Sequence, residues 1–203
     1  MSEPIITIVD DDDAVRDSLA LLLNFRGFRC RGFASGEDCL AAWSPDWRGC
    51  LLLDLRMGGM DGLALQQALD ERGSRLPVVF LTGHGDIAHA RAALKAGAVD
   101  FLEKPYSEDA LLEAVREAVA RDARQHAEYA HSEEIAARMA RLSERERQVM
   151  DLAVAGKPNR EIAVLLEISP RTVEVFKARM MEKMQARSLP ELVRMVMESR
   201  LAI

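Results

Sequence analysis

The sequence predicts an α/β domain, a doubly wound parallel sheet of five strands, followed by an all-α region of four helices. Through the first 122 residues, short continuous apolar runs alternate with amphipathic segments. Such runs are typical of parallel strands buried on both faces, and right-handed crossovers place the helices on both sides of the sheet. Beyond residue 142 the helical periodicity continues without strand-like runs. Charge divides similarly: residues 1–124 are rich in acidic side chains, and segment 170–187 is mainly basic.

Each predicted element of the first region has a recognisable local signal. The apolar runs that predict strands are 5–9, 28–33, 50–53, 78–81 and 98–102. The amphipathic segments that predict helices are 14–26, 36–44, 61–72, 85–96 and 107–122. Gly27 and Gly97 lie where helices should end, and Ser35 and Ser107 lie where helix N-caps belong.

The remaining chain is predicted to be helical throughout. Residues 123–142 are polar and alanine-rich without Gly or Pro, which favours a helical linker. Ser143 with Glu146 forms a capping-box pattern that begins the next helix, which ends at Gly156. A short helix is expected from a cap at Asn159. A third should run from Ser169 and Pro170 to about Ala186, and a fourth should begin after Pro190.

Composition excludes several classes of protein. The chain is 49% hydrophobic and 30% charged, with a net charge of −6, which is ordinary for a globular protein. No apolar run approaches the roughly 20 residues that span a bilayer, and the N-terminus lacks a signal-peptide pattern. Cys30, Cys39 and Cys50 are an odd set without metal-ligand spacing, so we expect buried, reduced thiols. These features predict a cytoplasmic protein with no membrane contact.

Polar residues collect where the predicted strands end. The first strand ends at Asp10 and Asp11, the third at Asp54 and the fourth at Thr82, and the fifth runs into Lys104. Because the carboxyl ends of parallel strands meet at one edge, these groups should converge. Carboxylates of this kind suit a hard divalent cation such as Mg²⁺.

The run of four carboxylates from Asp10 to Asp13 also has a simpler interpretation. An Asp-Asp pair after a strand is often only a loop and a helix cap, and Asp12 and Asp13 are favoured at a helix N-terminus by the helix dipole. The hydroxyl of Thr82 and the ammonium of Lys104 at other strand ends favour the pocket instead.

Four motifs resemble those of the receiver domain of bacterial two-component response regulators. "VDDD", "LLLDLRM", "LTGHGD" and "AGAVDFLEKPY" match it in order and spacing over residues 1–122, which implies a flavodoxin-like fold. The resemblance implies that Asp54 accepts a phosphoryl group from a sensor histidine kinase. It also implies site roles for other residues: Mg²⁺ ligands Asp10, Asp11, Asp54 and the backbone carbonyl of Arg56; phosphoryl-binding Thr82 and Lys104; the switch pair Thr82 and Phe101; and a cis bond before Pro105.

One departure from that family pattern lies beside the predicted phosphorylation site. The family usually has proline where this chain has Gly58, and the loss of that fixed φ predicts an intact but more mobile loop after Asp54. Arg56 and His84, two positions after Asp54 and Thr82, could steer a hydrolytic water or be ordinary exposed loop residues.

The last sixty residues resemble a LuxR-type helix-turn-helix, and the whole chain resembles the FixJ-type regulators. The segment "SERERQVMDLAVAGKPNREIAVLLEISPRTVEVFKARMMEKM" carries that resemblance. On the third helix, one face has core-forming side chains at helical spacing: Val173, Phe176, Met180 and Met184. The opposite face should insert into a major groove: Arg171, Glu174, Val175 and Ala178. A helical dimerisation bundle is the alternative interpretation.

Contacts with DNA can be sorted by chemistry. Glu174 could accept from a cytosine amino group and Val175 could contact a thymine methyl. Candidates for phosphate contact are Asn159, Arg160, Thr172, Lys177, Arg179 and Lys183. Phe176 replaces a histidine common in the family and should point inward.

These features together predict a transcription factor. Phosphorylation of Asp54 is expected to switch receiver dimerisation and binding to double-stranded promoter DNA. The protein is expected to be an activator, with RNA polymerase as a partner. The resemblance implies dimerisation through residues 87–94 and 101–112, and the apolar stripe on the last helix is either core or a second dimer contact. The receiver should catalyse its own phosphorylation and dephosphorylation, but this turnover is not expected to be its biological output. The alternatives are a Mg²⁺-dependent phosphatase or hydrolase and a phosphorylation-independent DNA-binding protein.

Overall fold

A computed structural model describes residues 3–83 and 98–201 of the chain. The strands are β1 (Ile5–Val9), β2 (Arg29–Phe33), β3 (Gly49–Asp54), β4 (Val78–Thr82) and β5 (Asp100–Glu103). The helices within those ranges are α1 (Asp13–Phe25), α2 (Gly36–Ala42), α3 (Gly62–Glu71), α4 (Glu108–Ala140), α5 (Glu144–Val154), α6 (Asn159–Leu165), α7 (Pro170–Met184) and α8 (Leu189–Leu201). The predicted helix 85–96, Gly97, His84 and the proposed dimer face at 87–94 lie outside the described residues.

The five strands form one parallel sheet in the order β2-β1-β3-β4-β5. β1 lies between β2 and β3, so that Ile6 pairs with Cys30 on one side and Cys50 on the other. The order reverses at β1, where the chain winds first in one direction and then in the other. This arrangement confirms the predicted doubly wound parallel sheet.

Apolar side chains cover both faces of the sheet. On one face, residues of β1, β3 and β4 pack against Leu19 and Leu23 of α1 and Leu111 and Val115 of α4. On the other face, Phe80 and its neighbours pack against Leu65 of α3 and Cys39 of α2. Burial on both faces explains why the strands are continuously apolar rather than alternating.

The chain divides into two compact units, Met1–Gln125 and His126–Ile203. The second unit has its own core, in which Ile135 of α4 packs with Leu142 and with side chains of α5, α7 and α8. A second cluster joins Val149, Ile162 and Val173 of α5, α6 and α7. The helical state expected for residues 123–142 is present as far as Ala140, and the last turns of α4 supply core side chains to the second unit.

Helix ends mostly follow the local signals, with two corrections. Asp12 and Ser35 cap α1 and α2, and Ser143 with Glu146 forms the complete capping box of α5. Asn159 does not cap α6: the cap position is Pro158, and Asn159 is the first helical residue. α8 begins at Leu189, before Pro190 rather than after it, because the Ser188 hydroxyl accepts from the Glu191 N–H.

The three cysteines are free thiols, with Cys39 and Cys50 buried and Cys30 half-buried. Burial raises the pKa of Cys30 and of Cys39 to about 11. Thiols with such values are poor nucleophiles at neutral pH. Across the described ranges, no helix is both long enough and apolar enough to span a membrane.

Candidate functional site

The parallel strands bring the predicted acidic residues together at their carboxyl ends. Asp10 and Asp11 follow β1, and Asp54 is the last residue of β3, the neighbouring strand. One carboxylate oxygen from each lies within 4.8 Å of the others. Asp10 is only 1% exposed and Asp11 is exposed, so the cluster opens towards solvent on one side.

Lys104, which follows β5, supplies positive charge to this cluster. Its Nζ lies 3.0 Å from Oδ2 of Asp10 and 3.2 Å from Oδ1 of Asp54. One ammonium therefore bridges two of the three carboxylates and offsets part of the repulsion between like charges held this close. We call the four side chains Asp10, Asp11, Asp54 and Lys104 the acidic pocket.

The protonation behaviour of Asp54 and Lys104 follows from their surroundings. Burial raises the pKa of Asp54 above its ordinary value, and the charge and hydrogen bond of Lys104 offset this only in part. Burial alone lowers the pKa of Lys104, but its hydrogen bonds and charge interactions with Asp10 and Asp54 outweigh this, so the net shift is upward. The ammonium is therefore held in its charged form beside Asp54.

Local hydrogen bonds fix the segment that carries Asp10. The Asp12 N–H donates to Oδ1 of Asp10 at 3.0 Å, while the Asp12 carboxylate caps α1 through the N–H groups of Ala14 and Val15. The Arg16 guanidinium donates to the Asp10 carbonyl at 2.7 Å and pairs with Asp13. The run of aspartates thus has two uses, with Asp10 in the acidic pocket and Asp12 and Asp13 at the helix start, as the sequence predicts.

A close backbone approach behind Asp54 depends on Gly62, the first residue of α3. A Cβ atom at this position would lie 2.5 Å from the Asp54 carbonyl oxygen and 3.0 Å from the Phe80 ring. Asp61 caps the helix by accepting from the Ala64 N–H. Only glycine allows α3 to begin directly against the residue that carries the pocket carboxylate.

Of the other predicted site residues, Thr82 and Arg56 lie at or just beyond the carboxyl ends of their strands, whereas Phe101 pairs with Phe80 within the sheet. Thr82 ends β4, is 3% exposed, and donates its hydroxyl to the Gly83 carbonyl at 3.2 Å. Phe101 on β5 is half-buried against the apolar cluster that contains Phe80. Arg56 is exposed two residues after Asp54, and the Lys104–Pro105 bond is cis, as the resemblance implies.

Two carboxylates from outside the loop hold the segment that follows Asp54. The Gly58 N–H donates to Oδ2 of Asp11 at 3.0 Å, and the Met60 N–H donates to Oε1 of Glu37 at 2.9 Å. Glu37 was not among the predicted site residues, because a contact over 23 positions leaves no local pattern in the sequence. The greater mobility expected of this loop stays a prediction.

The second unit presents the predicted outward face of α7. Val173, Met180 and Met184 are fully buried and Phe176 is half-buried, so the predicted core face is confirmed. The opposite face is exposed along its length: Arg171, Glu174, Val175 and Ala178. Ser169 caps the helix and Pro170 occupies its first turn, as predicted.

The predicted phosphate-contact residues fall into two groups. Arg160 and Arg179 are exposed, and Lys177 donates to the side-chain oxygen of Asn159 at 3.3 Å, while the Thr172 hydroxyl is paired with that of Ser169 at 2.8 Å. Lys183 differs from these, because its Nζ lies 2.6 Å from Oε2 of the buried Glu146.

One contact that holds the end of α7 could not be predicted from the sequence. The Arg138 guanidinium, near the end of α4, donates to the Met184 carbonyl at 3.1 Å, where α7 ends. It lies in the segment predicted as a linker, and its partner is 46 positions away. No spacing in the sequence could have indicated it.

Comparison with known proteins agrees with both halves of the chain. Residues 6–116 match the response regulator receiver domain family, and residues 140–196 match the LuxR family of bacterial regulatory proteins. The transcriptional regulatory protein FixJ of Azorhizobium caulinodans is 47% identical over 192 residues, covering 95% of this chain and 91% of that protein. The FixJ of Rhizobium meliloti is 46% identical over 198 residues, covering 97% of each.

Solved structures show the same similarity. The response regulator StyR has a TM-score of 0.86 at 38% identity, covering 97% of this chain and all of that one. Full-length FixJ from B. japonicum has a TM-score of 0.59 at 43% identity, covering 99% of each chain.

The fold, the acidic pocket and these similarities define a two-component response regulator. The chain belongs to the family of response regulators in which a receiver domain precedes a LuxR-type DNA-binding domain, and its relatives include the FixJ transcriptional regulators.

Proposed function

We propose that Asp54 is the phosphoacceptor of this regulator and receives its phosphoryl group from the phosphohistidine of a sensor kinase. The carboxylate oxygen would attack phosphorus, forming an O–P bond as the N–P bond to the imidazole breaks. The observation that carries this proposal is the position of Asp54: it ends a central strand, at the open edge of an acidic pocket, with the Lys104 ammonium 3.2 Å away.

A divalent cation fits the acidic pocket. Three carboxylate oxygens within 4.8 Å of one another are the hard ligands that Mg²⁺ prefers, and we propose Asp10, Asp11, Asp54 and the backbone carbonyl of Arg56 as its ligands. Bound there, the cation would neutralise charge on the oxygens of the transferred group.

Lys104, Thr82 and Phe101 would change their contacts when Asp54 is phosphorylated. The Lys104 ammonium already lies beside the Asp54 carboxylate, where it could form an ion pair with an oxygen of the added phosphoryl group. The Thr82 hydroxyl, now on the Gly83 carbonyl, can exchange that weak local contact for a charged oxygen. Phe101 would then change position with it, so that phosphorylation biases the receiver between two states.

The output of the switch is proposed to be DNA binding by α7. Its exposed face has a small side chain at Ala178 and a 45% exposed apolar one at Val175, which suits close approach to a major groove. Arg171 and Glu174 would contact bases, while Asn159, Arg160, Thr172, Lys177 and Arg179 would position the helix on phosphates. We assign the ammonium of Lys183 to an ion pair within the second unit rather than to DNA, because it is paired with the buried carboxylate of Glu146.

The biological setting follows from these roles. We propose a cytoplasmic activator that dimerises on phosphorylation, binds inverted half-sites in promoter DNA, and acts on RNA polymerase.

The phosphoryl mimic beryllofluoride with Mg²⁺ tests the switch directly. The full-length wild type, Asp54→Ala and the control Asp17→Ala are compared for self-association by sedimentation and for affinity towards duplexes selected from a random library by the activated wild type. Asp17 is exposed on α1 and lies outside the acidic pocket. The mimic should dimerise the wild type and Asp17→Ala and tighten their DNA binding, and should leave Asp54→Ala unchanged. Equal DNA binding by all three proteins with and without the mimic would retain the DNA-binding module but reject the switch.

A further inference from the structure

The loop that follows Asp54 is attached to the receiver at two backbone amides. Gly58 donates its N–H to Asp11, and Met60 donates its N–H to Glu37 at the start of α2. The two hydrogen bonds have similar lengths, 3.0 and 2.9 Å, but their acceptors differ in position. Asp11 belongs to the acidic pocket, whereas Glu37 does not.

Asp11 needs an external contact more than the other pocket carboxylates do. Asp10 is 1% exposed and is held by Lys104 and by the Asp12 N–H, and Asp54 is held by Lys104. Asp11 is exposed, so packing does little to fix its rotamer. The Gly58 N–H occupies Oδ2 of Asp11 and so restricts the direction in which the carboxylate points.

The feature that matters at position 58 is the N–H rather than the absence of a side chain. Gly58 does not have the positive φ of its neighbour Gly59, whose φ is +80°. A Cβ atom at Gly58 would meet only Oδ2 of Asp11, at 3.9 Å, which is an ordinary contact. Alanine should therefore fit, whereas proline would remove the donor.

We propose that the backbone N–H of Gly58 is a positioning group for Mg²⁺ binding, because it holds the Asp11 carboxylate towards Asp10 and Asp54. The inference rests on the magnesium site of the proposed function and adds a residue that none of the family motifs assigns. Hydrogen bonds to metal ligands commonly change metal affinity by about 10- to 100-fold when they are removed. The same contact would make the order of the loop after Asp54 depend on the state of Asp11.

Isothermal titration of the full-length protein with Mg²⁺ alone measures this contribution without any phosphoryl transfer. Gly58→Pro removes the donor and should weaken the Kd for Mg²⁺ by about 10-fold or more. Gly58→Ala is the matched comparison, since it adds a side chain and keeps the N–H, and its Kd should stay within about twofold of wild type. Exchanging Gly58 for glycolic acid by nonsense suppression replaces the N–H with an ester oxygen and should weaken binding as proline does, even if proline disturbs the fold.

Glu37→Ala separates the specific contact from general loosening of the loop. It releases the Met60 N–H and leaves the contact to Asp11 intact. Its Kd should match wild type. If it weakens binding as much as Gly58→Pro, or if the proline and ester variants bind Mg²⁺ as tightly as wild type, the positioning role is wrong. If wild type itself binds no Mg²⁺, the magnesium site of the proposed function fails and the inference fails with it.

Discussion

The ammonium of Lys183 lies 2.6 Å from the carboxylate of Glu146, and this pair joins the last turn of α7 to the first turn of α5. The Glu146 side chain is only 4% exposed, and it also accepts from the Ser143 N–H at 2.8 Å. The hydrogen bond from Lys183, followed by that from Ser143, lowers the pKa of Glu146 below its ordinary value. One buried carboxylate therefore caps α5 and holds α7 at the same time.

Replacing Glu146 by glutamine should destabilise the second unit by about 1.5–3 kcal/mol at pH 7, the usual range for a hydrogen bond to a charged group. Because the folded-state pKa of Glu146 is lowered, its contribution is present above the unfolded value near 4.3 and is lost as pH falls through the folded value. Urea unfolding followed by circular dichroism should show the difference between the two proteins shrinking below pH 4.

Glu144→Gln is the matched control, since Glu144 lies in the same helical turn and is exposed. Its unfolding free energy should equal that of wild type both at pH 7 and below pH 4. A constant difference between Glu146→Gln and wild type down to pH 3 would contradict the role of the charged pair.

The same pair predicts that Lys183 and Arg179 will behave differently on DNA. Arg179→Ala removes an exposed charge and should reduce the slope of log affinity against log salt by about one phosphate contact. Lys183→Met should leave that slope unchanged and lower stability instead. Fluorescence anisotropy across a salt series measures both slopes, and a reduced slope for Lys183→Met would return Lys183 to the DNA surface.

Local patterns were sufficient for much of the fold and of the acidic pocket. Continuous apolar strands require a sheet that is covered on both faces. The parallel order of such a sheet then predicts that Asp10, Asp54 and Lys104 lie close together, although it gives no distances. Arg138 and Glu37 could not be found in this way, because their partners are a carbonyl and an N–H at distant positions. Backbone groups are present at every residue, so they mark no position in the sequence.

The end of α4 is the clearest case in which tertiary packing adds to the sequence pattern. In the polar, alanine-rich segment 123–142, Ile135 shares one helix face with Met139 and Leu142 at i+4 and i+7, but so short a stripe does not indicate what Ile135 packs against. It is nevertheless 1% exposed, in contact with a cluster that contains Met150, Met184 and Leu192. The segment predicted as a linker is thus part of the core of the second unit.

Ile135→Ala should therefore destabilise the second unit by about 2–5 kcal/mol, the usual cost of truncating a buried aliphatic side chain. Both tryptophans, Trp43 and Trp47, lie in the first unit, so their fluorescence reports that unit alone. Circular dichroism should show that the variant begins to unfold at a lower urea concentration than wild type. The unfolding transition detected by tryptophan fluorescence should stay at the wild-type urea concentration. The exposed neighbour Glu133→Ala serves as control, and an Ile135→Ala protein as stable as that control would show that the helix end is dispensable.

Gly62→Ala tests how closely the start of α3 must approach Asp54. The new Cβ would lie 2.5 Å from the Asp54 carbonyl, so either α3 or the end of β3 has to move. We expect a loss of about 1–3 kcal/mol in unfolding free energy, as for other overpacked sites. Displacement of Asp54 should also slow its phosphorylation by acetyl phosphate, by up to about 100-fold for a shift near 1 Å. Gly32→Ala, whose Cβ would meet only Arg16 at 3.7 Å, is the control for inserting a methyl group in this unit. Phosphorylation of the Gly62→Ala protein at the rate of the Gly32→Ala protein would show that the approach does not position the Asp54 carboxylate.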